Sequence, residues 1–213
     1  MKPVELDIMT PASRMHFMPL VIDSIVKERE KVKDRLDIMW WVVHDCKNGG
    51  PCAAFDAMIP KEPWIVTHHL PSEDEMPPKG WRQRIWHLDN GRPTAYVWWY
   101  DDDNTMHPDH LTLLASHLKP DGADRMPIGV VFSMQYCNGR VLQADPLNMR
   151  VGAVGGAMPC YYRPSIGTMR PPIMQCGDGH FIEAWIRKVG VGRLVFDTTP
   201  VILANNLDPV RSS

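Results

Sequence analysis

The sequence predicts an α/β protein, with one mostly parallel central sheet covered by helices on both faces and built as a single domain. Three observations carry that expectation. Short apolar runs with little polar interruption, such as LDIMWWVVHD (36–45) and TAYVWWY (94–100), alternate with stretches of helical spacing. Strands that are apolar on both sides need cover on both sides, which is the situation of a parallel sheet. A chain of 213 residues with 44% hydrophobic and 23% charged residues is long and apolar enough for one sizeable core.

In chain order, VELDIM (4–9) reads as the first strand and TPASR as the turn that leaves it. Leu20, Val21, Ile25 and Val26 recur at helical spacing, so a helix is expected from Phe17 to about Lys33. LDIMWWVVHD is the second strand, closed by the turn-rich CKNGGP. EPWIVTHHL (62–70) gives the third, followed by a Pro- and acid-rich loop to Lys79. GWRQRIWHLDNG (80–91) is a short helix stopped at Asn90-Gly91. TAYVWWY is the fourth strand, and HPDHLTLLASHLK (107–119) a helix whose Pro108 suits a first turn. PIGVVFSMQY (127–136) is a further strand. From Asp121 to Gly177 the chain is rich in Gly, Pro and Met and weakly periodic, so an irregular subregion is expected there.

Net charge is −2, which does not suit a generic polyanion binder. The first residues carry charges where a signal peptide needs an apolar run. No stretch approaches the roughly 20 apolar residues of a membrane span. The five cysteines, Cys46, Cys52, Cys137, Cys160 and Cys176, are odd in number and lack C-x-x-C pairing. Neither a zinc knuckle nor a disulfide framework is expected, and all five read as reduced thiols of a cytoplasmic protein.

Chemistry concentrates at YVWWYDDDNTMHP (96–108), where an apolar strand runs straight into Asp101, Asp102 and Asp103. In an α/β sheet that is the C-terminal strand edge, where ligands bind. Adjacent carboxylates repel, and a hard cation such as Mg²⁺ or Mn²⁺, which takes one or two carboxylates plus phosphate oxygens, would relieve them. A solvated acidic turn is the plainer alternative. His107 and His110 form H-x-x-H beside the triplet, a spacing that a metal-dependent phosphohydrolase or nucleotidyltransferase would use. His107 otherwise sits in a turn and His110 decorates a helix. Tyr161, Tyr162, Arg163 and Arg170, with Arg150 nearby, offer an aromatic and cationic surface for an acceptor, or simply a solvated loop.

AYVWWYDDDNTMHPDHL (95–111) resembles the D-x-D segment of nucleotide-sugar-dependent glycosyltransferases of the GT-A (Rossmann-like) fold, the inverting family 2 type in particular. Other pieces follow in matching order: VELDIMTPASR as first strand and turn, IMWWVVHD as second strand, KGWRQRIWHLD as the helix before the D-x-D strand, CGDGHFIEAWIRK as the base-bearing helix, and PVILANN as the last strand. The resemblance implies one domain over 1–213, with a nucleotide-sugar-binding half (1–120) and an acceptor-binding half carrying the catalytic base (121–213). It implies that Asp103 binds the Mn²⁺ or Mg²⁺ bridging the donor's diphosphate. Asp101 would face the ribose or a metal-bound water, with Asp102 between them. Apart from the resemblance, His180, two residues past Asp178, reads as a further metal ligand, a phosphate contact or a plain polar residue at a helix start. By the resemblance, Thr10, Pro11 and Arg14 would line the nucleotide, Asp45 would meet the base, and Arg84 would lie near the diphosphate. Asp178 would be the general base, the donor a UDP-sugar, and the partner an acceptor hydroxyl of a saccharide, protein, lipid-linked or nucleic-acid molecule, with homo-oligomerisation left open. Two positions depart from the family pattern. Ile85 stands where it has Asn, and VGAVGGAMPC (151–160) replaces its acceptor-side D-T/S-G segment.

Overall fold

The computed structural model describes residues 2–46, 52–71, 80–118, 127–174 and 176–204. Among these described residues, nine strands form one sheet: β1 (Val4–Ala12), β2 (Leu36–Asp45), β3 (Ile65–Leu70), β4 (Tyr96–Trp99), β5 (Thr105–Met106), β6 (Gly129–Tyr136), β7 (Val141–Leu142), β8 (Pro159–Tyr162) and β9 (Leu194–Ala204). Six helices accompany them: α1 (Met18–Val32), α2 (Cys52–Met58), α3 (Trp81–Asn90), α4 (His110–His117), α5 (Arg163–Ile166) and α6 (Gly177–Val189). The expected turn over 47–51, the loop over 72–79 and residues 205–206 of the last strand lie outside the described residues.

The sheet order is β3-β2-β1-β4-β8-β6-β9-β5, with β7 on β6. The long ladders, β1–β2, β2–β3, β1–β4 and β6–β9, are parallel. The short strand β8 runs antiparallel between β4 and β6, and β5 is antiparallel on β9. From β1 the chain crosses to β2 on one side, and after β3 it returns to β4 on the other. Connections leaving β1 and β4 therefore diverge, and a crevice opens beyond the carboxyl ends of those two strands.

Helices cover both faces, as the apolar strands require. Trp98 and Trp99 are both buried and point oppositely: Trp98 packs on His110 of α4 at 4.1 Å between ring centroids, and Trp99 on Phe181 of α6 at 5.2 Å. The face α1 buries is Met18, Val21, Ile25, Glu28 and Val32, a three–four spacing. Leu20, expected on that face, is instead 52% exposed.

Glu28 explains why a carboxylate belongs in an apolar stripe. Its oxygens accept the backbone N–H groups of Asp109 (3.1 Å) and Leu111 (3.3 Å), donors that the start of α4 leaves unmatched. Pro108 consequently lies before α4 rather than in its first turn, and Asp109, at φ 69°, is left-handed and breaks the helix on its N-terminal side.

The expected irregular subregion is more ordered than its composition suggests. It contributes β7, β8 and α5, and β8 joins the two parallel halves of the sheet. Arg163 donates to the carbonyls of Leu88 and Arg92, and Arg170 pairs with Asp89 at 2.5 Å. With Tyr161 buried against Trp99 and Trp185, these side chains brace the end of α3.

Candidate active site at the sheet switch point

Strands β1 and β4 end side by side. The Tyr100 N–H donates to Met9 O at 2.9 Å, carrying the ladder one step past β4, and a turn follows with Asn104 N–H to Asp101 O at 3.2 Å. Asp102 is fully buried and folds back onto the residues that leave β1. Its Oδ2 accepts from Ser13 N (2.6 Å), Ser13 Oγ (3.2 Å) and Arg14 N (2.8 Å), while Oδ1 accepts from Arg14 Nε (2.8 Å) and Nη2. The same guanidinium reaches Asp103 Oδ2 through Nη1 at 2.5 Å. Asp101 accepts from Arg84 Nη2. Two arginines thus answer part of the triplet's repulsion, and Asp102 has become a strap between strand ends.

The triplet still carries unrelieved negative charge. Asp103 has its carboxyl pushed up to about 6, first by burial and then by the Asp101 charge, with Arg14 opposing. An oxygen-only pair of half-accessible Asp101 and buried Asp103 suits Mg²⁺ or Mn²⁺, which needs few protein ligands when phosphate oxygens supply the rest. Asp101, Asp103 and His180 do not bring their ligand atoms within 4.8 Å of one another, and His180 is exposed on the first turn of α6.

Arg84 projects from α3 with its guanidinium over the rings of Trp81 (5.0 Å) and Trp99 (5.5 Å). The helix starts at Gly80, which is left-handed at φ 73°, and a Cβ there would lie 2.8 Å from Pro11 Cβ. Pro11 therefore packs against the helix that delivers Arg84. From α6 comes Asp178, whose Oδ2 accepts the Gly156 N–H at 3.1 Å and whose Oδ1 accepts the Gly179 N–H at 2.9 Å. A Cβ on Gly156 would stand 3.3 Å from Asp178 Oδ2 and 3.8 Å from Arg84 Nη2. The helical carboxylate and the Arg84–Asp101 pair therefore flank one glycine.

The remaining candidates sort by position. Asp45 closes β2 at the same strand edge, one step past the His44–Ala12 pairing. Thr10 is buried, and its hydroxyl accepts the Trp40 indole N–H at 3.0 Å. His110 does not decorate a helix surface. It is buried on Trp98, bonded through Nδ1 to Val201 O at 3.0 Å, and burial pushes it down to about 3. His107 bonds the Pro108 carbonyl, so H-x-x-H is not a ligand pair. Cys46 and Cys52, expected as thiols, are joined as a disulfide. Gly156 and Ser13 were missed by sequence reasoning. The glycine pair in VGAVGGAMPC was a readable sign of close backbone approach, whereas nothing local marked Ser13.

A switch-point crevice on this strand order, rimmed by the aspartates after β4 and faced by a carboxylate of a late helix, defines a GT-A-like α/β fold. The chain is similar over 94% of its length to a mannosyltransferase from Pyrobaculum calidifontis described in complex with GDP-Man and Mn²⁺, at TM-score 0.62 and 16% identity. It covers 55% of that protein, so it spans about half the length of this neighbour. A 4-diphosphocytidyl-2C-methyl-D-erythritol synthase matches at TM-score 0.50 and 12% identity, over 97% of this chain and 92% of that one. At such identities the likeness is one of fold. No family model matches the chain, and no curated protein matches it in sequence.

Proposed function

We propose that the chain is a metal-dependent glycosyltransferase that moves a sugar from a nucleotide-sugar donor, a UDP-sugar, to an acceptor hydroxyl with inversion at the anomeric carbon. The observation that supports this most is the meeting of Asp178 with the Arg84–Asp101 pair across Gly156, above the aspartate triplet. That arrangement supplies an acid-rich donor edge and a separate carboxylate across one glycine. A divalent ion on Asp101 and Asp103 would offset the charge that develops on a departing nucleoside diphosphate.

The chain's own residues then divide the work. Arg84 lies where a diphosphate oxygen gains a fixed positive partner. Arg14 holds Asp102 and Asp103 in register, and Asp45 stands at the strand edge where a base would lie. Asp178, with both oxygens oriented by backbone N–H groups, accepts the proton of the acceptor hydroxyl as its oxygen attacks the anomeric carbon. The bond to the diphosphate breaks on the far side, and the donor leaves as nucleoside diphosphate.

A nucleotidyltransferase is the second reading. It is favoured by the synthase likeness, which runs nearly the full length of both chains. One assay separates the two. The protein is incubated with Mn²⁺ and a panel of UDP-, GDP- and CDP-sugars, and separately with nucleoside triphosphates and a phosphorylated alcohol. Nucleoside diphosphate released from one sugar nucleotide supports glycosyl transfer or its hydrolytic leak. Pyrophosphate released from a triphosphate, with every sugar nucleotide intact, supports the second reading and overturns the first.

A further inference from the structure

Beside the strand edge, and separate from the aspartates, lies a cluster that glycosyl transfer does not use. His44 closes toward the end of β2, His69 is its register partner on β3, Cys46 follows β2, and Cys52 opens α2. The ligand atoms of these four residues all lie within 4.8 Å of one another, the only such group among the described residues. The two Nδ1 atoms face each other at 3.0 Å, and Cys46 Sγ is 3.9 Å from His44 Nδ1. Tetrahedral zinc with bonds of about 2.0–2.3 Å sets its ligands roughly 3.3–3.8 Å apart, close to these spacings.

We propose that, with its two cysteines reduced, the protein binds one Zn²⁺ through Cys46 Sγ, Cys52 Sγ, His44 Nδ1 and His69 Nδ1. A disulfide accounts for the two sulfurs and a hydrogen bond for the histidine pair, whereas a single tetrahedral ion would engage all four donors at once. Their orientation is built. His69 Nε2 bonds Asp56 Oδ1 at 3.0 Å, the carboxylate–histidine pairing that turns the other ring nitrogen into a metal-facing lone pair. Phe55 stacks on His44 at 4.1 Å between ring centroids and fixes that ring. Cys52, Phe55 and Asp56 stand at i, i+3 and i+4, so a single face of α2 supplies a ligand and both supports. Asp56 and His69 also line a surface groove of about 650 Å³, so this edge of the cluster faces solvent.

Binding exchanges two thiol protons for one Zn²⁺, and it requires that a thiol or phosphine reductant first open the Cys46–Cys52 bond. Cys160 and Cys176 are free thiols, the latter exposed, so surroundings that keep them reduced would act on this pair too. Two thiolates with two imidazoles select zinc over Mg²⁺ or Mn²⁺, which prefer oxygen, so the two sites differ in the metal they take.

The test uses the full chain, reduced with a phosphine, stripped by a chelator and titrated with Co²⁺ as a coloured stand-in for zinc. One equivalent should give intense tetrahedral visible bands and a thiolate charge-transfer band. Zn²⁺ should abolish both by displacement. The bands should survive Asp103→Asn, vanish in the Cys46→Ser/Cys52→Ser double variant, and need roughly 10–100-fold more metal in Asp56→Asn. A second measurement on the wild type covers the case in which variants fold poorly: with Zn²⁺ present, Cys46 and Cys52 should resist alkylation while Cys176 reacts. Absence of the charge-transfer band in the reduced protein, or equal alkylation of Cys46 and Cys52 with and without Zn²⁺, overturns the proposal.

Discussion

Asp103 concentrates the electrostatic strain of the strand edge in a single residue. Its folded pKa of about 6 stands above the ordinary 3.8, because burial and the Asp101 charge outweigh Arg14. The folded protein therefore holds this proton more tightly than the unfolded chain. The stability so contributed is complete below pH 3.8 and is lost as pH rises through about 6, leaving a cost of roughly 1–3 kcal/mol at neutral pH. Thermal melts of the metal-free protein at pH 7 should show Asp103→Asn melting higher than wild type. The rise in melting temperature that Mn²⁺ gives the wild type should disappear in the variant, and in the wild type it should fade as pH drops through about 6. Asp178→Asn tests the other carboxylate. Steady-state kinetics should show kcat lowered about 10²–10⁴-fold with donor KM little changed. The Asp101–Asp103 triplet and Asp178 could be picked out in the sequence because their signals are local: a strand, a charge run, a helix start. Their partners could not, since Ser13 and Arg14 lie nearly ninety positions from Asp102 and Gly156 more than twenty from Asp178, and only the fold brings them together.

Whether an element could be read depended on its length and on who caps it. Ten unbroken residues of β2 announced themselves, and the structure places that strand at the same bounds, Leu36–Asp45. Four-residue β8 and the helix α2 were hidden, the first by neighbouring glycines and prolines, the second behind the turn-like CKNGGP. The start of α4 was misread because Pro108 is a favourable first-turn residue, whereas the true cap is Glu28, reaching across from α1. Removing that carboxylate strands two amide donors at a buried helix start. Chemical denaturation of Glu28→Ala should show a loss of about 1–3 kcal/mol, with nucleotide affinity close to wild type.

Across the whole molecule, the switch point that makes the crevice depends on β1 lying between β2 and β4. A buried ion pair ties that strand to the segment entering β4. Asp7 is fully buried and accepts from Arg92 N (2.9 Å) and Nε (2.6 Å), with His87 Nε2 at 3.4 Å. Arg92 also donates to the Leu6 and Asp37 carbonyls, so it staples β1, β2 and the approach to β4. Burial alone would raise the Asp7 pKa, but the neighbouring His87 imidazole and the Arg92 guanidinium carry it below the ordinary value. This pair's stability is present above pH 3.8 and is lost as pH falls further. Arg92→Ala leaves the carboxylate buried without its cation. Urea unfolding at pH 7 should register about 3–5 kcal/mol lost. The parallel half of the sheet was readable because its strands are long and doubly covered. The antiparallel insertion of β8 was not, since strand order is set by packing between distant segments.

On the proposed function, a divalent cation on Asp101 and Asp103 holds a nucleoside diphosphate at the β1–β4 edge. Isothermal titration of UDP and GDP into the metal-stripped protein, with and without Mn²⁺, tests it most directly when repeated on Asp103→Ala. One nucleotide should bind tightly only with Mn²⁺ present, and Asp103→Ala should abolish that binding. Binding that ignores Mn²⁺, or that survives Asp103→Ala unchanged, would contradict it.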